Sequence, residues 1–294
     1  MESIGAAMIV KNEESCLGDC LQSIVGLDEI VVLDTGSTDK TEEVAAKYPC
    51  KFIGGVYEWN DSFAEARNKA KEYATADWLL VIDADEVLVG GVDPLRSAVK
   101  KHKEAEAFRF KTVSLKNQNE VHESIRMHKN KTDIMWHGAI HNYLSVNDGP
   151  KMDGAEIHYG YSAAHQNDPD RALRILSKVV RENPKCVREK YYLAREFWYR
   201  NDPKMAIYYW EYYLETAYWG PEMADAHMML ARAYLSLGDA SKAKSEALQA
   251  IALNANFREA LRFMAKLSGP GNAKRWNAFA DSATNEGILF VRGE

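Results

Sequence analysis

Residues 78–88 read WLLVIDADEVL, a continuous apolar run that ends in three acidic residues with a single alanine among them. Such a run is typical of a strand buried on both faces of a sheet. Asp83, Asp85 and Glu86 therefore follow a buried strand, where isolated carboxylates are costly to remove from water. In an extended chain Asp83 and Asp85 point to one side, so both can bind one Mg²⁺ or Mn²⁺ ion. A solvated acidic loop is the alternative, and this spacing alone does not decide between them.

The residues before this run alternate between short strand-like and helical segments. Predicted strands are 4–10, 29–34, 50–57 and 78–83, and predicted helices are 13–25, 39–48 and 61–74. Ser62 and Glu65 open the last helix with a capping-box pattern. This order predicts an α/β domain with a parallel sheet covered on both faces, whose ligands bind beyond the carboxyl ends of the strands. Residues 106–160 are predicted to form a less regular α+β extension that borders the site.

Helical patterns replace the strands after about residue 165. Asp202-Pro203 with Ala206 repeats an earlier Asp168-Pro169 with Ala172, and Asp239 with Ala243 follows. A period near 34 with small residues at fixed places resembles tetratricopeptide repeats. The predicted domains are 1–165 (catalytic), 166–268 (helical repeats) and 269–294, a tail whose structure the sequence does not indicate.

Composition sets wider limits on the class of protein. The 294 residues are 46% hydrophobic and 27% charged, with a net charge of −6, which weighs against tight non-specific binding to nucleic acid. No apolar stretch is long enough to span a membrane, and the N-terminal residues lack a signal-peptide pattern. The cysteines have neither CxxC spacing nor the density of a disulfide scaffold, so we expect a cytoplasmic enzyme or scaffold.

A second polar cluster follows the strand at 29–34, where Asp34 precedes the small-residue turn TGST. Gly36 permits a tight turn, and Ser37 or Thr38 can cap the next helix. Taken alone, this stretch is an ordinary connection between a strand and a helix.

Four motifs taken together resemble the family-2 glycosyltransferases, which have the GT-A fold. They are KNEE after the first strand, LDTGSTDKT, AEARNKA and WLLVIDADE, in that order. The closest resemblance within the family is to bacterial lipopolysaccharide-core transferases and to peptide S-glycosyltransferases with tetratricopeptide-like helices. The resemblance covers residues 4–90 densely and extends more weakly to about 161.

This resemblance implies roles for individual residues. Asp34 would contact the uracil or ribose of a UDP-sugar, and Arg67 would lie near its base and diphosphate. The residues implied in donor binding are Asn12, Glu13, Asp34, Arg67 and Asp83, and those implied in metal binding are Asp83, Asp85 and His158. His158 has a second interpretation, as a core histidine. A Mn²⁺ or Mg²⁺ ion is the implied cofactor, and the implied reaction inverts the anomeric centre, with UDP-glucose as the first choice of donor.

The general base is the residue that the resemblance does not supply. Relatives often carry a His-Glu pair after a glycine, whereas this chain has Asn142 in the place of the glutamate, and an asparagine cannot act as a base. His141 is the first substitute, followed by His137, Glu123 and Asp133. For any one of these histidines, packing or a backbone hydrogen bond is the commoner role. The predicted catalytic residues are therefore His141, Asp85 and Glu123.

The acceptor is open at this point. It is a glycan, a peptide side chain or a modified DNA base, and a groove of basic residues would favour DNA: Lys111, Lys116, Arg126, Lys129 and Lys131. The aromatic-rich helical half is predicted to bind the acceptor or a partner, and a homodimer is one assembly that we consider. The alternative from another class is a non-catalytic scaffold with a degenerate transferase domain.

Overall fold

The computed structural model describes residues 2–115, 121–160 and 168–289. It divides into two compact units, Met1–Arg171 and Ala172–Glu294. The elements of the first unit are β1 (Ile4–Val10), α1 (Leu17–Ile24), β2 (Glu29–Asp34), α2 (Thr41–Ala45), β3 (Lys51–Ile53), α3 (Phe63–Glu72), β4 (Trp78–Leu80), β5 (Glu86–Val89), α4 (Asp93–Lys101), β6 (Ala107–Ser114), β7 (Val121–Lys129), β8 (Trp136–His137), β9 (Tyr143–Leu144) and β10 (Glu156–Tyr159). The helices that follow are α5 (Arg171–Glu182), α6 (Arg188–Tyr199), α7 (Pro203–Leu214), α8 (Gly220–Ser236), α9 (Ala240–Leu253), α10 (Arg258–Lys266) and α11 (Pro270–Ser282).

One sheet carries eight strands in the order β3-β2-β1-β4-β7-β6-β10-β5. β1 is parallel to both β2 and β4, and β2 is parallel to β3, as predicted. β7 then runs antiparallel to both β4 and β6, so the extension joins the same sheet and makes it mixed. β8 and β9 form a separate two-stranded hairpin, which we call the β8–β9 hairpin.

Both faces of the parallel strands are buried, which explains why their sequences do not alternate. Ile30 and Val32 of β2 pack on the face that α1 covers. Val31 and Leu33 pack on the other face with Ala70 of α3. This arrangement confirms the predicted α/β domain with helices on the two sides of the sheet.

Two predicted strands are shorter in the structure than in the sequence pattern. The strand at 50–57 ends at Ile53, just before two glycines. The strand at 78–83 ends at Leu80, although the N–H of Val81 still donates to the carbonyl oxygen of Arg126 at 2.7 Å. Beyond that point the chain turns, which places the acidic residues outside the ladder of strand hydrogen bonds.

The helical unit shows the physical basis of the repeat. Asp202 and Asp239 cap α7 and α9, accepting hydrogen bonds from backbone N–H groups at 3.1 and 2.9 Å. Ala206 and Ala243, one turn later, are fully buried. Helices contact in the consecutive pairs α6–α7, α8–α9 and α10–α11, so the segment from residue 269 begins with a helix that packs on α10. None of the helices in the described ranges is long and apolar enough to cross a membrane.

Candidate active site

Three polar segments meet at the carboxyl edge of the parallel strands. Asn12 follows β1, Asp34 ends β2, and Asp83 follows β4. These strands are neighbours in the sheet, so their carboxyl ends lie side by side. The structure therefore brings together the segments that the sequence predicted to bind the donor.

The segments after β1 and β2 form one hydrogen-bonded loop pair. The N–H of Asn12 donates to Oγ of Ser37 at 2.9 Å, and the N–H of Thr38 donates to Oδ1 of Asn12 at 2.7 Å. Ser37 in turn donates to Asp34 from its N–H and, at 2.6 Å, from its hydroxyl. Gly36 has a φ of 105°, which a residue with a side chain rarely adopts. The Asp34 carboxylate is thus held in one orientation by its own turn.

The third acid of WLLVIDADEVL has a different role from the first two. Glu86 is buried and receives two hydrogen bonds from the Arg126 guanidinium, at 2.8 and 3.0 Å. Its Oε2 also accepts the N–H of Asp83 at 2.8 Å. Burial raises the pKa of Glu86, and the Arg126 charge opposes that rise. Glu86 therefore anchors the turn, while Asp83 and Asp85 remain partly exposed at its tip. The sequence separates Glu86 from the Asp83 and Asp85 pair but does not show that it is buried against Arg126.

Arg67 of α3 is the main cation at this edge. Its Nη2 donates to Oδ1 of Asp83 at 2.6 Å, and its guanidinium lies 5.1 Å from the centre of the Trp136 ring. The side chain is only 10% exposed, yet within the described residues Nε and Nη1 have no hydrogen-bond partner. Buried donors without a partner are unfavourable, so this guanidinium is suited to an anionic ligand that would accept from both atoms.

Two cysteines of α1 and its N-terminus also contact the site. The thiol of Cys16 donates to Oε2 of Glu13 at 3.1 Å, and that of Cys20 donates to the carbonyl oxygen of Asp83 at 3.3 Å. Burial, then Glu13 and Asp85, raise the pKa of Cys16 to about 12, so the thiol stays protonated. The sequence predicts only small core residues here, and the hydrogen bonds of these thiols have no sequence signal.

The carboxylate oxygens at the turn are suited to a hard divalent cation that also binds water and phosphate oxygens. Mg²⁺ in nucleotide sites is often held by one or two carboxylates, with water and phosphate oxygens completing its shell. Asp83 and Asp85 can supply those carboxylates. Across the described ranges there is no group of three His, Cys, Asp or Glu side chains placed to bind a metal. His158 instead bonds Oε1 of Glu156 at 2.5 Å, so its role as a third ligand stays a prediction.

The candidate bases lie on or near the β8–β9 hairpin. Trp136 pairs with Leu144, and His137 pairs with Tyr143, so Trp136 and His137 occupy opposite faces of the hairpin. Trp136 faces Arg67, whereas Nε2 of His137 is hydrogen-bonded to Ser145 at 2.9 Å. His141 lies in the exposed loop between the two strands, with a φ of 50°.

The two acidic candidates are exposed residues of the first unit. Glu123 forms an ion pair with Lys151, and Asp133 is exposed in the turn before β8. Neither contact joins them to Asp83 or Asp85. The identity of the base stays a prediction, with His141 as the first choice.

The basic groove predicted for DNA is largely neutralised by acidic partners. Ion pairs join Lys111 to Glu156 and Lys131 to Glu106, and Arg126 is occupied by Glu86. Lys129 lies over the Trp78 ring, and Lys116 lies outside the described residues. The nature of the acceptor stays a prediction.

Comparison with known proteins finds one family whose sequence model matches part of the chain. The Glycosyl transferase family 2 model matches residues 6–134. A TPR repeat-containing protein of Synechococcus elongatus is 43% identical over 90 residues, which are 30% of this chain and 22% of that protein. The glycosyltransferase SunS of Bacillus subtilis is 27% identical over 227 residues, which are 70% of this chain and 52% of SunS. The chain thus spans about half or less of the length of these curated relatives.

A solved structure confirms the fold. TarS 1-349 of S. aureus, crystallised in complex with UDP-GlcNAc, superposes with a TM-score of 0.50 at 13% identity. The match covers 85% of this chain and 91% of that chain. The first unit therefore has the GT-A fold that the four motifs predicted, and a helical region follows it.

Proposed function

Given that this chain carries a glycosyltransferase domain of family 2 at residues 6–134, we propose that it transfers a hexose from a UDP-sugar to an acceptor nucleophile. The observation that carries this proposal is Arg67, a buried guanidinium beside the acidic turn whose nitrogens Nε and Nη1 have no hydrogen-bond partner among the described residues. A diphosphate supplies the paired anionic oxygens that such a group binds best. Asp34, fixed by its own turn, would receive the uridine at the neighbouring strand end.

Different residues of this chain have different roles in the proposed reaction. Asp34 and Asn12 orient the nucleoside, and Arg67 holds the diphosphate. A divalent cation bound by Asp83 and Asp85 would neutralise the charge that develops on the leaving diphosphate. Glu86 keeps those two carboxylates in place through its hydrogen bond to the Asp83 N–H. We propose His141 as the base that removes the acceptor proton, with inversion at the anomeric carbon and glucose as the sugar.

The helical unit is proposed to bind the acceptor or a partner. Some of its aromatic residues belong to the core, and Tyr191, Trp210 and Tyr213 are almost fully buried. Others are exposed, among them Tyr199 at 62% and Tyr208 at 57%. Exposed aromatic rings can stack on sugars or on peptide side chains.

Calorimetric titration tests the donor site. We would titrate the full chain with UDP, UDP-glucose and UDP-GlcNAc, in Mn²⁺ and in EDTA. Binding in Mn²⁺ that is lost in Asp85→Ala, and kept in the matched surface variant Asp153→Ala, supports the proposal. Asp153 is exposed and precedes β10 in the chain. If folded wild-type protein binds none of the three in either condition, the UDP-sugar proposal is wrong.

A further inference from the structure

Asn68, the residue after Arg67, forms a paired contact with the β8–β9 hairpin. Its Nδ2 donates to the carbonyl oxygen of Trp136 at 3.0 Å, and its Oδ1 accepts the N–H of Trp136 at 2.9 Å. One amide side chain thus satisfies both backbone groups of Trp136, as a neighbouring strand would. The ring of the same residue lies 5.1 Å from the Arg67 guanidinium.

Other side chains of this region hold the segment before the hairpin against α3. Nζ of Lys71, which is 8% exposed, donates to the carbonyl oxygen of Ile134 at 2.6 Å and also to that of Lys131. Nδ2 of Asn130 donates to two carbonyl oxygens just after α3, at 3.1 and 3.0 Å. Asn68 differs from both, because its bonds end on the residue that contacts Arg67.

We infer that Asn68 is a positioning residue for donor binding, which acts on Arg67 through Trp136. The inference rests on the proposed function. A guanidinium over an aromatic face has its plane and its N–H directions limited by that face. Asn68 fixes the backbone of Trp136 and therefore the place of the ring. The ring thereby limits the directions of the Arg67 donors Nε and Nη1, from which a diphosphate bound beside Asp83 would accept.

Substitutions at Asn68 separate positioning from stability. In Asn68→Ala we expect the Kd for UDP to rise about tenfold and the KM for the UDP-sugar to rise with it. Asn68→Asp keeps the acceptor for the Trp136 N–H but sets a carboxylate oxygen against the Trp136 carbonyl, so its Kd should rise at least as much. Trp136→Phe, which keeps a ring, should bind UDP better than Trp136→Leu.

Asn130→Ala is the matched control. The substitution removes two hydrogen bonds that hold the same segment, and neither of these bonds involves Trp136. We expect it to lower the free energy of unfolding while leaving the Kd for UDP unchanged. An Asn68→Ala protein that loses stability to the same degree and binds UDP as the wild type does would overturn the inference.

A double-mutant cycle gives the sharpest test. In an Arg67→Ala background, Asn68→Ala should weaken UDP binding no further, because the group on which it acts is gone. Additive effects in this cycle contradict the inference.

Absence of UDP binding in the wild type is a separate failure, that of the proposed function. In that case the double-mutant cycle of Arg67→Ala and Asn68→Ala is measured on free energies of unfolding, and its result tests the inference without UDP. Coupling between positions 67 and 68 that disappears in Trp136→Leu supports the part of the inference in which Asn68 positions Arg67 through Trp136, and additivity overturns it.

Discussion

Both units of the protein bury acidic side chains, but they compensate the charge in different ways. At the edge of the sheet, Glu86 is paired with Arg126 by two hydrogen bonds, directly beneath two acids that stay partly exposed. In the helical unit, Asp225 is fully buried and accepts a hydrogen bond from the hydroxyl of Tyr191, which accepts one from Arg195 at 3.1 Å.

The two ways of compensating buried charge suggest different roles for the Glu86–Arg126 pair and the Tyr191–Asp225 hydrogen bond. We propose that the ion pair under the partly exposed acidic turn holds Asp83 and Asp85 in place for a charged ligand. The bond from Tyr191 to Asp225 joins α6 to α8 and leaves neither group at the surface. Burial and the Asp225 charge raise the pKa of Tyr191, so the phenol remains a hydrogen-bond donor. We therefore expect loss of the first cluster to affect ligand binding and loss of the second to affect stability alone.

The largest effect should follow the removal of one exposed acid. Asp85→Asn keeps the size of the side chain but removes its charge, and we expect transfer activity to fall about a thousandfold. The free energy of unfolding should change little, because the residue lies partly exposed at the tip of the turn. Steady-state kinetics and thermal unfolding check the two halves of this prediction. The control Asp153→Asn should retain wild-type activity, and equal losses in both variants would contradict the assigned site.

The next effect is expected from the anchor of the turn. In Glu86→Gln the Arg126 guanidinium loses its charged partner while still largely buried, which should lower the free energy of unfolding by about 3 kcal/mol. UDP affinity should also fall, since the Asp83 N–H then faces a weaker acceptor. Chemical denaturation and calorimetry measure these changes. Glu106→Gln, which breaks a half-exposed ion pair with Lys131, should cost no more than about 0.5 kcal/mol.

His128 offers a third way to bury a titratable group, as a neutral ring. It is 2% exposed, and burial lowers its pKa from 6.5 to about 4. Because the unfolded chain takes up this proton first, the contribution of His128 to stability is complete above pH 6.5. It is then lost as the pH falls towards 4, by about 3 kcal/mol in total.

The comparison of wild type with His128→Asn measures this pH-dependent contribution to the free energy of unfolding. Asparagine can still donate to the carbonyl oxygen of Lys129, which accepts at 2.9 Å from Nδ1 in the wild type. The difference in free energy of unfolding between the two proteins should shrink between pH 6.5 and 4. A difference that does not depend on pH would show that His128 is not the group that titrates.

The smallest effect should come from the buried acid of the helical unit. Asp225→Asn still accepts from Tyr191 but without a charge, so we expect a loss of about 1–2 kcal/mol in the free energy of unfolding. The Kd for UDP should stay at the wild-type value. Asp202→Asn, which exchanges one good helix cap for another, should be close to neutral. If Asp225→Asn weakened UDP binding in folded protein, the contrast between the two clusters would not hold.

Much of the first unit could be predicted from patterns that are local in the sequence. The strands Ile4–Val10 and Glu29–Asp34 are predicted to the residue, because a doubly buried strand is a continuous apolar run. Ser62 caps α3 as its capping box indicates, with Oγ accepting the Glu65 N–H at 3.2 Å. Neighbouring parallel strands bring their carboxyl ends together, so Asp34 and Asp83 could be assigned to one edge.

The remaining features depend on pairing across long distances in the chain. Arg126 lies forty residues from Glu86, and no local pattern shows that these two groups meet. Trp136 has no motif around it, and its contact with Arg67 follows from the position of the hairpin on α3. The general base escapes prediction for a related reason. A single histidine has several chemical roles, and only its distance from a bound acceptor decides among them.

The central place of β4 sets the order in which the site can form. Ile4 of β1 lies opposite Trp78 on one side of this short strand, and Met127 of β7 lies opposite Leu80 on the other. Both pairings close long loops, which is slow because the entropy of closure precedes the gain in contacts. During synthesis the acidic turn emerges well before Arg126, so Glu86 has no cationic partner until that residue has left the ribosome. The proposed donor site is therefore completed late, after the antiparallel half of the sheet has folded.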